Sequence, residues 1–314
     1  MKKFLKNILL FLLFFVVAYP IGVCITGEIA PYYFRKSLSY NIGGYGFLHS
    51  KIKEIDKYKN PDVLIVGTSH AYRGFDNRIL KSNGITTFNL ASSMQTPIQT
   101  NVIFKRYLEK ICPKLIVYDV NPEVFNNDGI EAGLDLISND YVSFDTFKMA
   151  VKINDIKVYN TLIFAAYKQF FDANKSFKES RYKNEDTYIS GGYVEKKLKY
   201  NKVRNFYRPE FFKFNDFQLE YFKGNIEIIK NKNIPFVLIH TPIAKNLYVS
   251  KKNYNKIDSL MNKLSNNRYY DFNTLIQLSD TLDFYDSNHL NSIGVRKFDD
   301  FFIQFMKKEN IIKD

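Results

Sequence analysis

Five short runs constrain this fold more than any other feature: Asp62–Val66 (DVLIV), Thr86–Leu90 (TTFNL), Leu115–Val120 (LIVYDV), Pro235–His240 (PFVLIH) and Tyr269–Phe272 (YYDF). Each is too short for a helix and is apolar enough to read as a buried strand. Helical patterns fall between and after them. Asp76–Asn83 is the first. Pro97–Ile111 follows, with Ile98, Val102, Ile103, Tyr107, Leu108 and Ile111 on one face and Pro97 in its first turn. Then come Phe217–Lys232, Tyr254–Leu264 and Ser292–Lys307, the last with Val295, Phe298, Phe301, Phe302 and Phe305 aligned. Strands alternating with helices predict an α/β protein: a five-stranded parallel sheet, doubly wound into a three-layer α/β/α sandwich of flavodoxin-like kind. In such sheets, sites collect at the carboxyl ends of the strands.

The N-terminus follows different rules. No charged residue occurs from Ile8 to Thr26, and Lys2, Lys3 and Lys6 precede that run. A stretch of about 20 uncharged, mostly apolar residues is long enough to cross a bilayer. The lysines favour a cytoplasmic N-terminus, which puts the rest of the chain on the extracytoplasmic side, in the periplasm or at the cell surface. A cleaved signal peptide is the alternative. The run is long for one, no A-x-A site follows, and Val23 fits poorly before Cys24 in a lipobox. The expected plan is an anchor over 1–26, a connector over 27–60 and an α/β domain over 61–314. Residues 123–215 break the strand–helix rhythm. They read as a partly helical insertion, with a loop-like Ser190-Gly191-Gly192-Tyr193, and suggest a lid or substrate-binding subdomain.

Composition enters by exclusion. Hydrophobic residues make up 46% of the chain, so a large core is available and global disorder is excluded. The net charge of +13 suits a soluble basic surface or anionic polymers, but no nucleic-acid module or aligned basic stripe is present. The two cysteines, Cys24 and Cys112, make no disulfide framework, and no metal-ligand spacing occurs. A nucleotide-binding protein would need a Gly-rich phosphate loop, which is missing. No cofactor is expected.

Candidate chemistry sits at the strand ends. Gly67-Thr68-Ser69-His70 follows the first strand, where a serine hydroxyl is exposed beside backbone N–H donors. Alone, this reads more readily as a helix cap. Asp286-Ser287-Asn288-His289 precedes the last helix. A serine needs a base, usually histidine, and the histidine needs an orienting carboxylate. Three residues of spacing allow Asp286 to serve His289, although the same residues also read as a polar turn. Asn121, after the third strand, can offer an amide donor to an oxyanion, or simply form an Asn-Pro turn. Asn89–Gln95, after the second strand, can add a backbone N–H. His70, Arg73 and His240 are further candidates for lining a pocket, each with a plain structural alternative.

The order of these blocks resembles the SGNH (GDSL-type) hydrolase superfamily over roughly residues 61–122 and 235–308. The resemblance implies Ser69 as nucleophile, Asn121 as oxyanion amide, and Asp286 and His289 as orienting acid and base. There are departures. The family's G-D-S is Gly67-Thr68-Ser69 here, and its oxyanion glycine aligns with Met94, whose Cβ disfavours a positive φ. With the N-terminal segment, the chain is similar to the envelope branch that includes proteins of teichoic-acid D-alanylation and alginate O-acetylation. This implies a serine esterase or O-acyltransferase acting on acyl, chiefly acetyl, esters of an envelope polysaccharide. A membrane-bound O-acyltransferase is the implied partner, and nucleic acid is not. The rival expectation is an inert SGNH-like module that binds a glycan or scaffolds such an acyltransferase.

Overall fold

The computed structural model describes residues 1–203 and 206–312. The chain forms two compact units, one of Met1–Ile42 with Gly133–Lys178, the other of Gly43–Ala132 with the chain from Glu179 onwards. Six helices concern the site or the N-terminal segment: α1 (Lys2–Ile29), α2 (Ser69–Gly74), α3 (Pro97–Ile111), α4 (Phe144–Ile153), α5 (Ile156–Phe170) and α6 (Ser292–Lys308).

The larger unit holds the expected five-stranded sheet. Its strands are β1 (Val63–Val66), β2 (Thr87–Asn89), β3 (Leu115–Asp119), β4 (Phe236–His240) and β5 (Tyr269–Asp271), in the spatial order β5-β4-β3-β1-β2. Every pair is parallel. β1 and β3 are buried along their whole length, which explains why they read as unbroken apolar runs rather than alternating ones. From β1 the chain moves outward to β2, then returns past β1 to β3. The strand order therefore reverses between β1 and β3, and a crevice opens beyond their carboxyl ends. Register sets Val66 beside Tyr118, so the residues that leave both strands emerge together.

Local chemistry fixes the flanking helices. α3 starts where the Thr96 N–H donates to the Gln99 side chain (3.1 Å), with Pro97 in the first turn. α6 starts where Asn291 accepts from the N–H groups of Ile293 and Gly294, both at 3.0 Å. Its apolar face carries Phe298 and Phe302 against Phe75 and Phe272, with ring centroids 5.0–5.7 Å apart. All four rings are essentially buried, and each contributes about 1.5–3 kcal/mol through area removed from water.

The chain between the third and fourth sheet strands is more varied than its sequence suggested. Tyr182–Lys183, Asp186–Ile189 and Tyr193–Lys196 form an antiparallel three-stranded sheet. Ser190-Gly191-Gly192 is its second turn, and both glycines take positive φ (+96° and +102°). The turn docks on the sheet edge, where the Asn89 N–H donates to the Gly191 carbonyl (2.8 Å). Residues 48–54, read from sequence as connector, form a helix that buries Leu48, His49 and Lys51.

In the smaller unit, α1 is 28 residues long and apolar enough to cross a membrane. α5 packs along its C-terminal part. Val23, Leu38 and Phe164 make a small core, and the Tyr19 hydroxyl donates to Asn160 Oδ1 (2.6 Å).

Candidate active site

The site begins with a glycine. Gly67 leaves β1 with φ +144°, and a Cβ there would lie 2.8 Å from Asp119 Cβ and 2.9 Å from the Asp119 carbonyl oxygen. Only glycine allows this turn against β3. The next residue, Thr68, caps α2: its hydroxyl accepts from the His70 N–H (3.3 Å). Since Thr68 takes the capping role, Ser69 is left at the first helical position with its side chain free for other work.

The Ser69 hydroxyl lies 2.8 Å from His289 Nε2. The other ring nitrogen, Nδ1, is 3.0 and 3.1 Å from the two carboxylate oxygens of Asp286. Asp286 Oδ1 also accepts from the backbone N–H groups of Asn288 (2.8 Å) and His289 (2.9 Å). The Tyr285 N–H donates to the His289 carbonyl (3.1 Å), which closes the loop. Burial opposes the charge on Asp286. The His289 ring and the two backbone donors outweigh it and hold the carboxyl below its ordinary range. The His289 ring is itself sandwiched. Tyr285 stacks on it at 5.3 Å and 4°, and His70 at 5.0 Å and 22°.

His70 is buried. Its Nδ1 is 2.9 Å from the Thr68 hydroxyl. Asn121 Nδ2 lies 3.1 Å from Nδ1 and 3.2 Å from Nε2, so the amide straddles the ring. Burial, then the positive fields of His289 and His240, push the His70 pKa well below the ordinary imidazole value, and the ring is neutral. Asn121 Oδ1 accepts from the Glu123 N–H (2.9 Å), which fixes the direction of the amide. Met94 occupies the left-handed region (φ +48°), the backbone shape that a glycine would take freely. Its loop is tied to the Gly67–Ser69 turn by the Ser92 N–H, which donates to the Gly67 carbonyl (3.2 Å).

Of the remaining candidates, Arg73 meets the group through Tyr285, whose ring centroid lies 5.7 Å from the guanidinium carbon. Both arms of the Arg73 guanidinium hold Asp186 of the three-stranded sheet (3.0 and 2.8 Å), with both side chains largely buried. His240 ends β4, enclosed by Tyr248 and Tyr254 and 3.5 Å from Asp271. Among the described residues, no three His, Cys, Asp or Glu side chains are placed to hold a metal ion.

Four contributors were not visible beforehand. Thr68 and Tyr285 are described above. Asp119, at the end of β3, accepts from the Thr241 N–H (3.1 Å) and hydroxyl (2.7 Å) and lies 3.5 Å from the Thr68 hydroxyl. Burial raises its pKa above the usual carboxyl value. A charged residue closing an apolar strand (LIVYD) was the signal available for it. Lys51 is fully buried, donates to the Ala91 carbonyl (2.6 Å), and lies over the Tyr72 ring at 4.4 Å. Nothing in the polar stretch KIKEIDKYKN distinguishes it from its exposed neighbours.

Fold and site together define an α/β protein with a Ser-His-Asp group at the reversal point of a parallel sheet. No protein-family model matches the chain, and no curated protein does. Among solved structures, it is similar to a "putative acylhydrolase" from Bacteroides fragilis, with 14% identity and a TM-score of 0.41, covering 85% of this chain and 98% of that one.

Proposed function

We propose that this chain is a membrane-anchored, extracytoplasmic serine esterase or O-acyltransferase of SGNH type, acting on acyl esters of an envelope polysaccharide. The observation that carries the reading is the continuous line from Asp286 through His289 to Ser69, with hydrogen-bond distances at both joints. His289 Nε2 takes the Ser69 proton as Oγ attacks the acyl carbonyl. Asp286 stabilises the resulting imidazolium and holds its tautomer. The donors for the oxyanion are the N–H groups of Ser69 and Met94, joined by the Asn121 amide once it turns from the His70 ring. Collapse expels the alcohol, which leaves with the proton from His289, and the acyl group remains on Ser69. Water or a glycan hydroxyl, deprotonated in turn by His289, attacks the acyl-Ser69 ester and regenerates the serine. The apolar α1 behind three lysines supports anchoring with the catalytic unit outside, and the basic net charge suits an acidic polymer.

A second reading, an inert glycan-binding or scaffolding module, is favoured by two particulars. Asn121 turns its amide to His70, and Met94 replaces a glycine. A serine-reactive fluorophosphonate probe separates the two. Labelling of the wild type that disappears in Ser69→Ala supports the enzyme. An unlabelled wild type, with folded state confirmed by circular dichroism, supports the module.

A further inference from the structure

One groove of the smaller unit is lined by α1 itself. Phe14, Phe15, Ala18, Tyr19, Gly22, Val23 and Thr26 form one face of the helix, and the groove between them and Ile156, Asn160 and the Arg35–Leu38 segment has a volume of about 490 Å³. At 1.5 Å per residue, the face from Phe14 to Thr26 runs about 18 Å, slightly more than the ~15 Å hydrocarbon depth of one leaflet. Its chemistry is graded. The Phe14 end is aromatic and aliphatic. Asn160 and the Ser37 carbonyl lie midway, at the level of Tyr19, and Arg35 closes the Thr26 end through its bond to Gly27.

Arg35 is the telling residue. Its Nη1 donates to the Gly27 carbonyl (3.1 Å), and its Nε is shielded without a partner. Among the described residues no carboxylate pairs with it, while nearby Glu28 is engaged by Lys168. A cation without a counter-ion at the polar mouth of an apolar groove calls for an anion attached to an apolar chain. The surroundings agree. Phe144, Phe147 and Val151 are exposed along one face of α4, as are Ile156, Phe170 and Phe171 at the ends of α5. Such faces are stable against lipid rather than water.

We infer that this groove binds one phospholipid of the extracytoplasmic leaflet, with an acyl chain along Phe14–Val23 and the phosphate at Arg35. The inference rests on the proposed anchoring, because only a bilayer-spanning α1 opens the groove to lipid. Gly22 supplies a clean probe: a Cβ there meets nothing within 4 Å, so a larger side chain fills the groove without an internal clash.

The test uses the full chain in vesicles of phosphatidylethanolamine and phosphatidylglycerol, the latter carrying a diazirine in its acyl chain. Illumination should place lipid adducts on Phe14–Val23 and Ile156. Gly22→Leu should cut this labelling about tenfold, and Arg35→Gln should weaken it by a similar factor through the lost charge-assisted contact. Val17→Leu, on the opposite face, should leave it unchanged. Equal labelling of wild type and Gly22→Leu overturns the site. An alkaline carbonate wash is run in parallel. Release of the wild type from membranes overturns the anchoring itself. Retention together with unchanged labelling of Gly22→Leu overturns the groove alone.

Discussion

The amide nitrogen of Asn121 lies 3.1 Å from His70 Nδ1, and the His70 ring stacks at 5.0 Å on His289. The proposed oxyanion donor and the proposed base are thus both in contact with one neutral imidazole. Asn121→Ala removes the proposed oxyanion donor. It is expected to lower kcat on a soluble aryl ester about 10²–10³-fold, with KM little changed. An unchanged kcat would show that the amide serves only His70.

His70 also predicts a pH dependence of stability. Its folded pKa lies below the unfolded value of about 6.5. The unfolded chain therefore binds the proton first, and the contribution of neutral His70 is complete above about pH 6.5 and is lost as pH falls toward the folded pKa. Within that window one proton changes stability by about 1.4 kcal/mol per pH unit. Urea midpoints of the wild type should fall on acidification below 6.5, and His70→Gln should flatten the curve there. Parallel curves would exclude a buried neutral His70.

Arg73 and Asp186 form a largely buried pair, so removing one partner leaves the other uncompensated. Arg73→Ala is expected to cost about 3 kcal/mol, the lower end for such pairs, because Lys196 also lies 3.3 Å from Asp186. A double-mutant cycle with Asp186→Ala measures the coupling. An additive cycle would refute it.

Met94 holds a left-handed backbone that costs a non-glycine residue about 1 kcal/mol or more. Met94→Gly should raise the unfolding free energy by about that amount, read as a higher urea midpoint at unchanged m, and preserve the fluorophosphonate labelling. A lower midpoint would mean that side-chain packing of Met94 outweighs the strain.

Gly67→Ala should be the most damaging single methyl in the site. It combines positive φ with contacts below 3 Å to Asp119 backbone and Cβ. A loss of more than about 3 kcal/mol is expected, and tolerance of alanine would mean that β1 and β3 can separate.

Much of this was legible in sequence. The five strands fall within a residue or two of the runs read from sequence, most clearly β1, β3 and β4, where burial on both faces demands an almost unbroken apolar run. The proximity of Asp286 and His289 was legible too, since three residues of spacing bring both side chains to one side of a turn. The antiparallel sheet over 182–196 was not. Its strands are two to four residues long and partly exposed, so alternation had no room to show.

Sequence alone determined the sheet, the apolar N-terminal helix and the pairing of Asp286 with His289, because these depend on local composition and spacing. Tertiary structure alone decided that Thr68 caps α2 and leaves Ser69 to His289, 220 residues away. It also decided that Lys51, written among exposed lysines, is buried beneath the Ala91 loop, and that Asn121 faces His70. Such contacts depend on where β1, β3 and α6 bring distant side chains, and no local pattern records that meeting.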